Sequence, residues 1–435
     1  VDTDCSGTED ARQHTREPAL RRTAARAVAA ALAPLLFAGG TATASQCNVE
    51  FDDDTANLVI QAFERESVNS RLLEDILATG GYALLCEHVA LEQRRDPEAV
   101  RAELREALEA ALDGQGDPGF GFQKVRARPE AFRATLSEFR RVAGTVRWRI
   151  TERLNGFLPP RSSFDAKAYV IVGGGAAGLA FSDRDDIALR LDDFVSPHDG
   201  GAIDVERLAS VLTHELFHVG FRAAGGQTWE PAWPDEAWVQ LAQKYGPTTV
   251  GEVWRASNVE RWDGRDIAAR IHAWVAPPEW DRLALDRYLA MLSKLQNEGS
   301  AVYVDAPLRS AASGLHSGEI ARWMSSIEQD FAYFAQITER LAHGAGPEEI
   351  DRLAAKGFEK DGPLYRVGFR IAERVDTFAG RQPFLDAIPG GPLAFFETYF
   401  ATHPYGPGQI DTRAQDEIER IIEAFHAMGQ FDPES

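Results

Sequence analysis

The chain has 435 residues, 44% of them hydrophobic and 26% charged, a balance ordinary for a soluble globular protein and long enough for more than one domain. A formal net charge of −21 argues against nucleic-acid binding and against attraction to an anionic lipid surface. No partner class is named by acidity alone.

In chain order, Arg12, Arg16, Arg21, Arg22 and Arg26 form a basic region ahead of the apolar run from Ala27 to Ala38. Ala42-Thr43-Ala44 then reads as a small-residue cleavage site. Residues 1–44 are therefore expected to be a signal peptide, implying a periplasmic or secreted bacterial protein. The apolar run is too short to span a bilayer, so no stable membrane insertion is expected after its removal. Cys47 and Cys86 would remain, and a disulfide between them is open.

From Thr55 to about Leu112 the apolar spacing is helical, with Gly80-Gly81 as an interruption. Asp96-Pro97-Glu98 predicts a capped helix start with proline at the first helical position. Gly114 to Gly119 reads as a loop, and Pro129 to about Leu154 as a further helix. The period then changes to that of strands over Ala168–Val172 and Ile187–Leu191. Between them, Gly173-Gly174-Gly175-Ala176-Ala177-Gly178 spells a dinucleotide fingerprint after an apolar strand. That fingerprint needs a helix directly afterwards to hold the pyrophosphate, and Ser182-Asp183-Arg184-Asp185-Asp186 interrupts after one turn. The stretch reads better as a glycine-rich connection between strands, and a flavin or nicotinamide oxidoreductase built on it is disfavoured.

Val205, Leu208, Leu212, Leu216 and Val219 recur at steps of three and four and predict an amphipathic helix. Asp204 suits its N-cap, and Gly225-Gly226 supplies a stop. On its other face lies His214-Glu215-Leu216-Phe217-His218, an H-E-x-x-H pattern. Histidines four apart share one helical face and can bind one Zn²⁺, and the intervening glutamate can activate water beside the metal. Catalytic zinc needs a third protein ligand. Glu298, Glu236 and Glu230 are the candidates. Seven of the nine tryptophans fall between Trp229 and Trp280, where bulky packing is expected. Further helices are predicted over Pro278–Asn297, Leu364–Phe378 and Ala414–Met428.

The order of H-E-x-x-H and the later Asn297-Glu298-Gly299-Ser300-Ala301 resembles the gluzincins, the thermolysin-like and aminopeptidase-like zinc peptidases. That resemblance implies His214, His218 and Glu298 as the metal ligands and Glu215 as general base. Thermolysin-like proteins also carry an aspartate four residues beyond the third ligand, where this chain has Val302. A more particular likeness is to a bacterial family described as zinc-dependent peptidases of unknown function. It rests on the glycine-rich turn, His-Glu-Leu-x-His, Asn-Glu-Gly-x-Ala, Gly362-Pro363-Leu364-Tyr365 and the terminal Gly391-Pro392 to Tyr399.

The pattern along the chain gives an α+β, mainly α fold with a small sheet near its middle, and these resemblances imply that it is a zincin-like catalytic domain with a small mixed sheet and surrounding helices. Its expected limits are 161–405, after an N-terminal helical region at 45–160 and before a C-terminal helix at 406–435. The expected activity is hydrolysis of peptide or protein substrates, with Tyr365 and Tyr303 as candidate donors to the oxyanion. A non-catalytic zinc-binding protein on a degenerate zincin fold is the alternative.

Overall fold

Helices account for most of the described residues in a computed structural model, and the described strands are few and short. The structure describes residues 46–65, 70–116, 119–160, 162–174, 178–180, 185–195, 202–226, 282–312, 318–359, 362–403 and 406–427. The expected signal peptide, the tryptophan-rich stretch, Glu230 and Glu236 lie outside them.

Strand β1 (Gln46–Asp52) opens the described chain. It is followed by α1 (Asp54–Glu64), α2 (Ser70–Leu77), α3 (Gly80–Gln93), α4 (Pro97–Leu112), α5 (Phe122–Ala127) and α6 (Pro129–Asn155). Asp96 caps α4 as its sequence predicts, its carboxylate accepting from the Glu98 amide at 3.2 Å. The interruption expected at Gly80-Gly81 falls between the end of α2 at Leu77 and the start of α3 at Gly80.

The sheet continues with β2 (Ser163–Ile171), β3 (Gly178–Ala180) and β4 (Ile187–Arg190). Its strand order is β1-β2-β4-β3. β1, β2 and β4 run parallel, and β3 pairs antiparallel with β4 at the edge. The sheet is small and mixed, and the fold is α+β and mainly α, as expected. Strand β3 occupies Gly178–Ala180, where a dinucleotide fingerprint would require the start of a helix. Within β2, Phe164, Ala166, Ala168 and Val170 alternate onto the buried face.

Strand β1 is absent from the sequence reading, which begins its structure at Thr55. Its Cys47-Asn48-Val49-Glu50-Phe51 alternates apolar and polar, so the period was present in a seven-residue element hard against Asp52-Asp53-Asp54. Because β1 pairs residue for residue with β2, from Gln46 opposite Ser163 to Asp52 opposite Tyr169, the sheet crosses the boundary drawn at residue 160. The described residues all belong to one unit spanning 44–435. Cys47 and Cys86 are buried, free thiols, each with its pKa pushed up by burial, to about 12 and about 11.

Three helices then frame the site: α7 (Val205–Ala223), α8 (Arg282–Ala311) and, after α9 (Glu319–Ala342) and α10 (Pro347–Gly357), α11 (Pro363–Arg374). A π-helical turn (Val375–Ala379), α12 (Arg381–Ala401) and α13 (Thr412–Ala427) complete the described chain. Leu208, Leu212, Leu216 and Val219 of α7 are all buried, which sets its apolar stripe into the core and leaves the opposite face for chemistry. No described helix is long and apolar enough to cross a membrane.

Helices α8 and α11 cross almost backbone to backbone. A Cβ on Gly299 would stand 2.2 Å from the carbonyl carbon of Gly368, and one on Gly368 would stand 2.4 Å from the Leu295 carbonyl oxygen. Any side chain at either position would force the helices apart. Gly299, next to Glu298, and Gly368, one turn past Tyr365, are thus two sides of one helix crossing.

Candidate metal centre

The site begins with the cap of α7. Asp204 accepts from the Arg207 amide at 3.0 Å and fixes where the helix starts. From that start, His214, Glu215 and His218 emerge two to four turns later, on the side away from the buried leucines. The two imidazole rings are 4.8 Å apart between centroids and nearly perpendicular, at 89°.

Helix α8 delivers the third group. Glu298 Oε2 lies 3.5 Å from His214 Nε2 and 3.5 Å from His218 Nε2. Two donors about 2.0–2.1 Å from one tetrahedral zinc would stand about 3.3–3.4 Å apart, so these separations suit that ion. Among the described residues, His214, His218 and Glu298 are the cluster whose ligand atoms could share a metal ion, all lying within 4.8 Å of one another.

The outer ring nitrogens explain why the inner ones converge. His218 Nδ1 is 2.9 Å from Asn297 Oδ1. A side-chain carbonyl can only accept, so the proton sits on Nδ1 and the Nε2 lone pair faces the cluster. Asn297, the partner of Glu298 in the sequence pair, therefore orients the second histidine. His214 Nδ1 is 3.3 Å from Asp305 Oδ2, an ion-pair distance off the line of a straight hydrogen bond. Asp305 is fully buried and gripped by Arg309, whose Nε and Nη2 reach its two oxygens at 3.1 and 2.8 Å. Arg309 Nη1 also lies 3.5 Å from Glu319 Oε2.

The sequence reading finds Val302 where a thermolysin-like protein has its supporting aspartate. In this chain the carboxylate beside His214 is Asp305, seven residues past Glu298. Seven residues are almost two full turns, so Asp305 returns to the face that carries Glu298. A heptad step would have marked it, but the sequence reading ends this helix at Asn297, whereas α8 runs on to Ala311.

The charges are mutually reinforcing. Burial alone would lower the pKa of His214, but Asp305 and Glu298 outweigh it and raise it from 6.5 to about 10. Burial alone would raise that of Glu298, but His218 and His214 bring it down from 4.5 to about 2. Asp305 is likewise held below the ordinary aspartate value, against its burial, by Arg309 and His214.

A cavity of about 270 Å³ opens beside the cluster. His214 and Glu215 line it, so the candidate general base faces the same space as one candidate ligand. Tyr365, at the first turn of α11, lines it too, with its ring edge-on to Phe358. Val211, Val302, Trp323 and Arg309 complete the wall. None of these four is expected from the sequence as a cavity residue, and Val302 figures there only as the position without the supporting aspartate.

Tyr303 departs from its expected role. It is not among the cavity-lining residues, and its hydroxyl donates to Asp376 Oδ2 at 2.6 Å. Asp376 is held in turn by Arg381 at 2.6 and 2.8 Å, and the Tyr303 ring packs among Phe157, Phe369 and Phe384. With its one proton given to a carboxylate, Tyr303 ties α8 to the π-helical turn and has none left for an oxyanion.

Residues 280–401 match a family described as "Putative zinc dependent peptidase". The match takes in Asn297, Glu298, Asp305, Arg309, Trp323 and Tyr365 and ends with α12. It begins after α7, so His214, Glu215 and His218 lie ahead of it. Neither the curated proteins nor the solved structures gave a match.

Proposed function

We propose that this chain is a zinc-dependent peptidase in which His214, His218 and Glu298 hold the metal and Glu215 is the general base. The observation that carries the reading is the convergence of two imidazole nitrogens and one carboxylate oxygen beside a cavity that Glu215 also lines. The family description of residues 280–401 supports the same chemistry.

The donor set fits zinc: two neutral imidazoles and a carboxylate leave one tetrahedral position open. When bound, zinc supplies Lewis acidity, polarising a carbonyl and bringing the pKa of water towards about 7. Glu215 removes the proton from the attacking water and passes it to the leaving amine. Asn297 holds His218 in the tautomer that presents Nε2, and the Asp305 charge beside His214 Nδ1 favours the same tautomer there. Tyr365 is the candidate donor to the substrate carbonyl oxygen as negative charge builds there. Strand β3, at the sheet edge and packed near α7, suits an extended substrate bound through main-chain pairing.

Glu215→Gln separates the base from the ligands. With a fluorogenic peptide library, turnover is expected to fall by at least about 100-fold. Zinc content is expected to stay at that of the wild type. Undiminished turnover would remove Glu215 from the mechanism.

A further inference from the structure

The cavity beside Glu215 has a wall that bond cleavage does not use. Val302, Trp323 and Phe369 form a small apolar cluster separate from the main hydrophobic core, and the first two face the cavity. Trp323 is nearly buried and meets the Phe369 ring edge-on at 6.2 Å, so its own ring is held in place. Val302 lies one turn beyond Glu298, and Val211 one turn before Glu215. The apolar surface therefore begins immediately beside the candidate ligand and base.

Arg309 is the cation in this wall and at first sight invites a carboxylate. Its charge is already matched. Asp305 takes its Nε and one Nη, Glu319 stands 3.5 Å from the other, and its guanidinium lies 5.5 Å from the centre of the Trp323 ring. Two carboxylates face one guanidinium, and Glu215 adds a third negative group to the same space. With zinc bound, Glu298 and Glu215 offset the metal's charge, and Asp305 and Glu319 outnumber Arg309, so an acidic side chain entering here would be desolvated without a surplus counter-charge, whereas an apolar one would exchange water for Trp323 and the valines.

We infer that this cavity is the specificity pocket for a residue adjoining the scissile bond, that it takes a bulky apolar side chain, and that Trp323 sets the preference. The inference rests on the proposed peptidase reading. It makes the substrate class polypeptides cut at internal apolar positions, and it disfavours acidic side chains and a terminal carboxylate at that position.

The test uses acetylated, amidated alanine hexapeptides carrying one guest residue: leucine, phenylalanine, aspartate or alanine. Two readouts are taken on the full zinc-loaded chain: cleavage rate with position by mass spectrometry, and binding to Glu215→Gln by calorimetry. Leucine and phenylalanine are expected to exceed alanine by at least about tenfold in kcat/KM, with cleavage beside the guest and aspartate lowest. Trp323→Ala is expected to compress the leucine-to-alanine ratio below about threefold, and Trp323→Phe to keep most of it. Trp323→Leu, which stays apolar against Phe369 but shortens the wall, answers for a Trp323→Ala chain that does not fold and is expected to lower the ratio at least about twofold.

Preference for aspartate would make Arg309 the determinant and overturn the inference. So would a ratio untouched by replacing Trp323. Hydrolysis of all four peptides at equal rates would overturn the pocket and leave the peptidase reading standing. No hydrolysis, with Glu215→Gln still binding the leucine peptide at least about tenfold more tightly than the alanine one, would do the reverse. Absence of both hydrolysis and binding would overturn both.

Discussion

Asp305 shows how much of this site depends on a side chain that touches no substrate. It is fully buried, anchored by Arg309 and set against the outer nitrogen of His214. Asp305→Asn keeps the shape and removes the charge. Zinc affinity is expected to fall about 10- to 100-fold, read by competition with a chromogenic chelator. The same carboxylates govern the pH response. The metal-free His214 pKa is raised from 6.5 to about 10, so its ion pairing stabilises the fold fully below 6.5 and is lost as pH rises through 10. The Glu298 pKa is lowered from 4.5 to about 2, so its contribution is complete above 4.5 and lost as pH falls through 2. Between pH 6.5 and 10 the metal-free site thus holds a proton on His214 that zinc must expel. Zinc affinity is expected to rise about tenfold per pH unit there, and calorimetry in buffers of differing ionisation enthalpy at pH 8 should detect about one proton released. A pH-independent affinity would contradict the Asp305–His214–Glu298 coupling.

At the scale of elements, the arrangement is a pair of helices held at one crossing. Helix α7 carries His214, Glu215 and His218, and α8 carries Glu298 and both orienting residues. The position of α8 is set by its backbone contact with α11 at Gly299 and Gly368. Gly368→Ala is expected to lower stability by about 1–3 kcal/mol, because the added methyl meets backbone and not a side chain that could turn aside. It should also weaken zinc binding, since Glu298 is adjacent to the displaced contact. Urea denaturation and chelator competition on one preparation check both effects. The helix of the H-E-x-x-H pattern was readable because its cap, apolar stripe and glycine stop all agree locally. Asn297-Glu298-Gly299 is readable by resemblance, but the periodicity of the helix carrying it fades at Asn297, whereas the helix runs to Ala311. That single shortened end hid Asp305 and Arg309. Trp323 had no local signal, because its place beside the cavity is set by the approach of α9, a helix absent from the sequence reading.

At the scale of the molecule, the mainly helical α+β fold was legible from the change in period near residue 165, while the reach of the sheet was not. Strand β1 joins β2 across the helices α1 to α6, a parallel pairing that no local pattern announces. It binds the N-terminal helices to the unit that carries the site. Zinc in turn would cross-link α7 to α8 over the long interval between His218 and Glu298. A metal held by the folded chain alone stabilises it by mass action, so chelation should lower the thermal midpoint. The most direct measurement is zinc content after exhaustive dialysis, taken on wild type and on Glu298→Ala. One zinc per wild-type chain and little on the variant is the expected result. A wild-type chain that is folded and zinc-free, or a variant that retains a full equivalent, would contradict the metal centre proposed here.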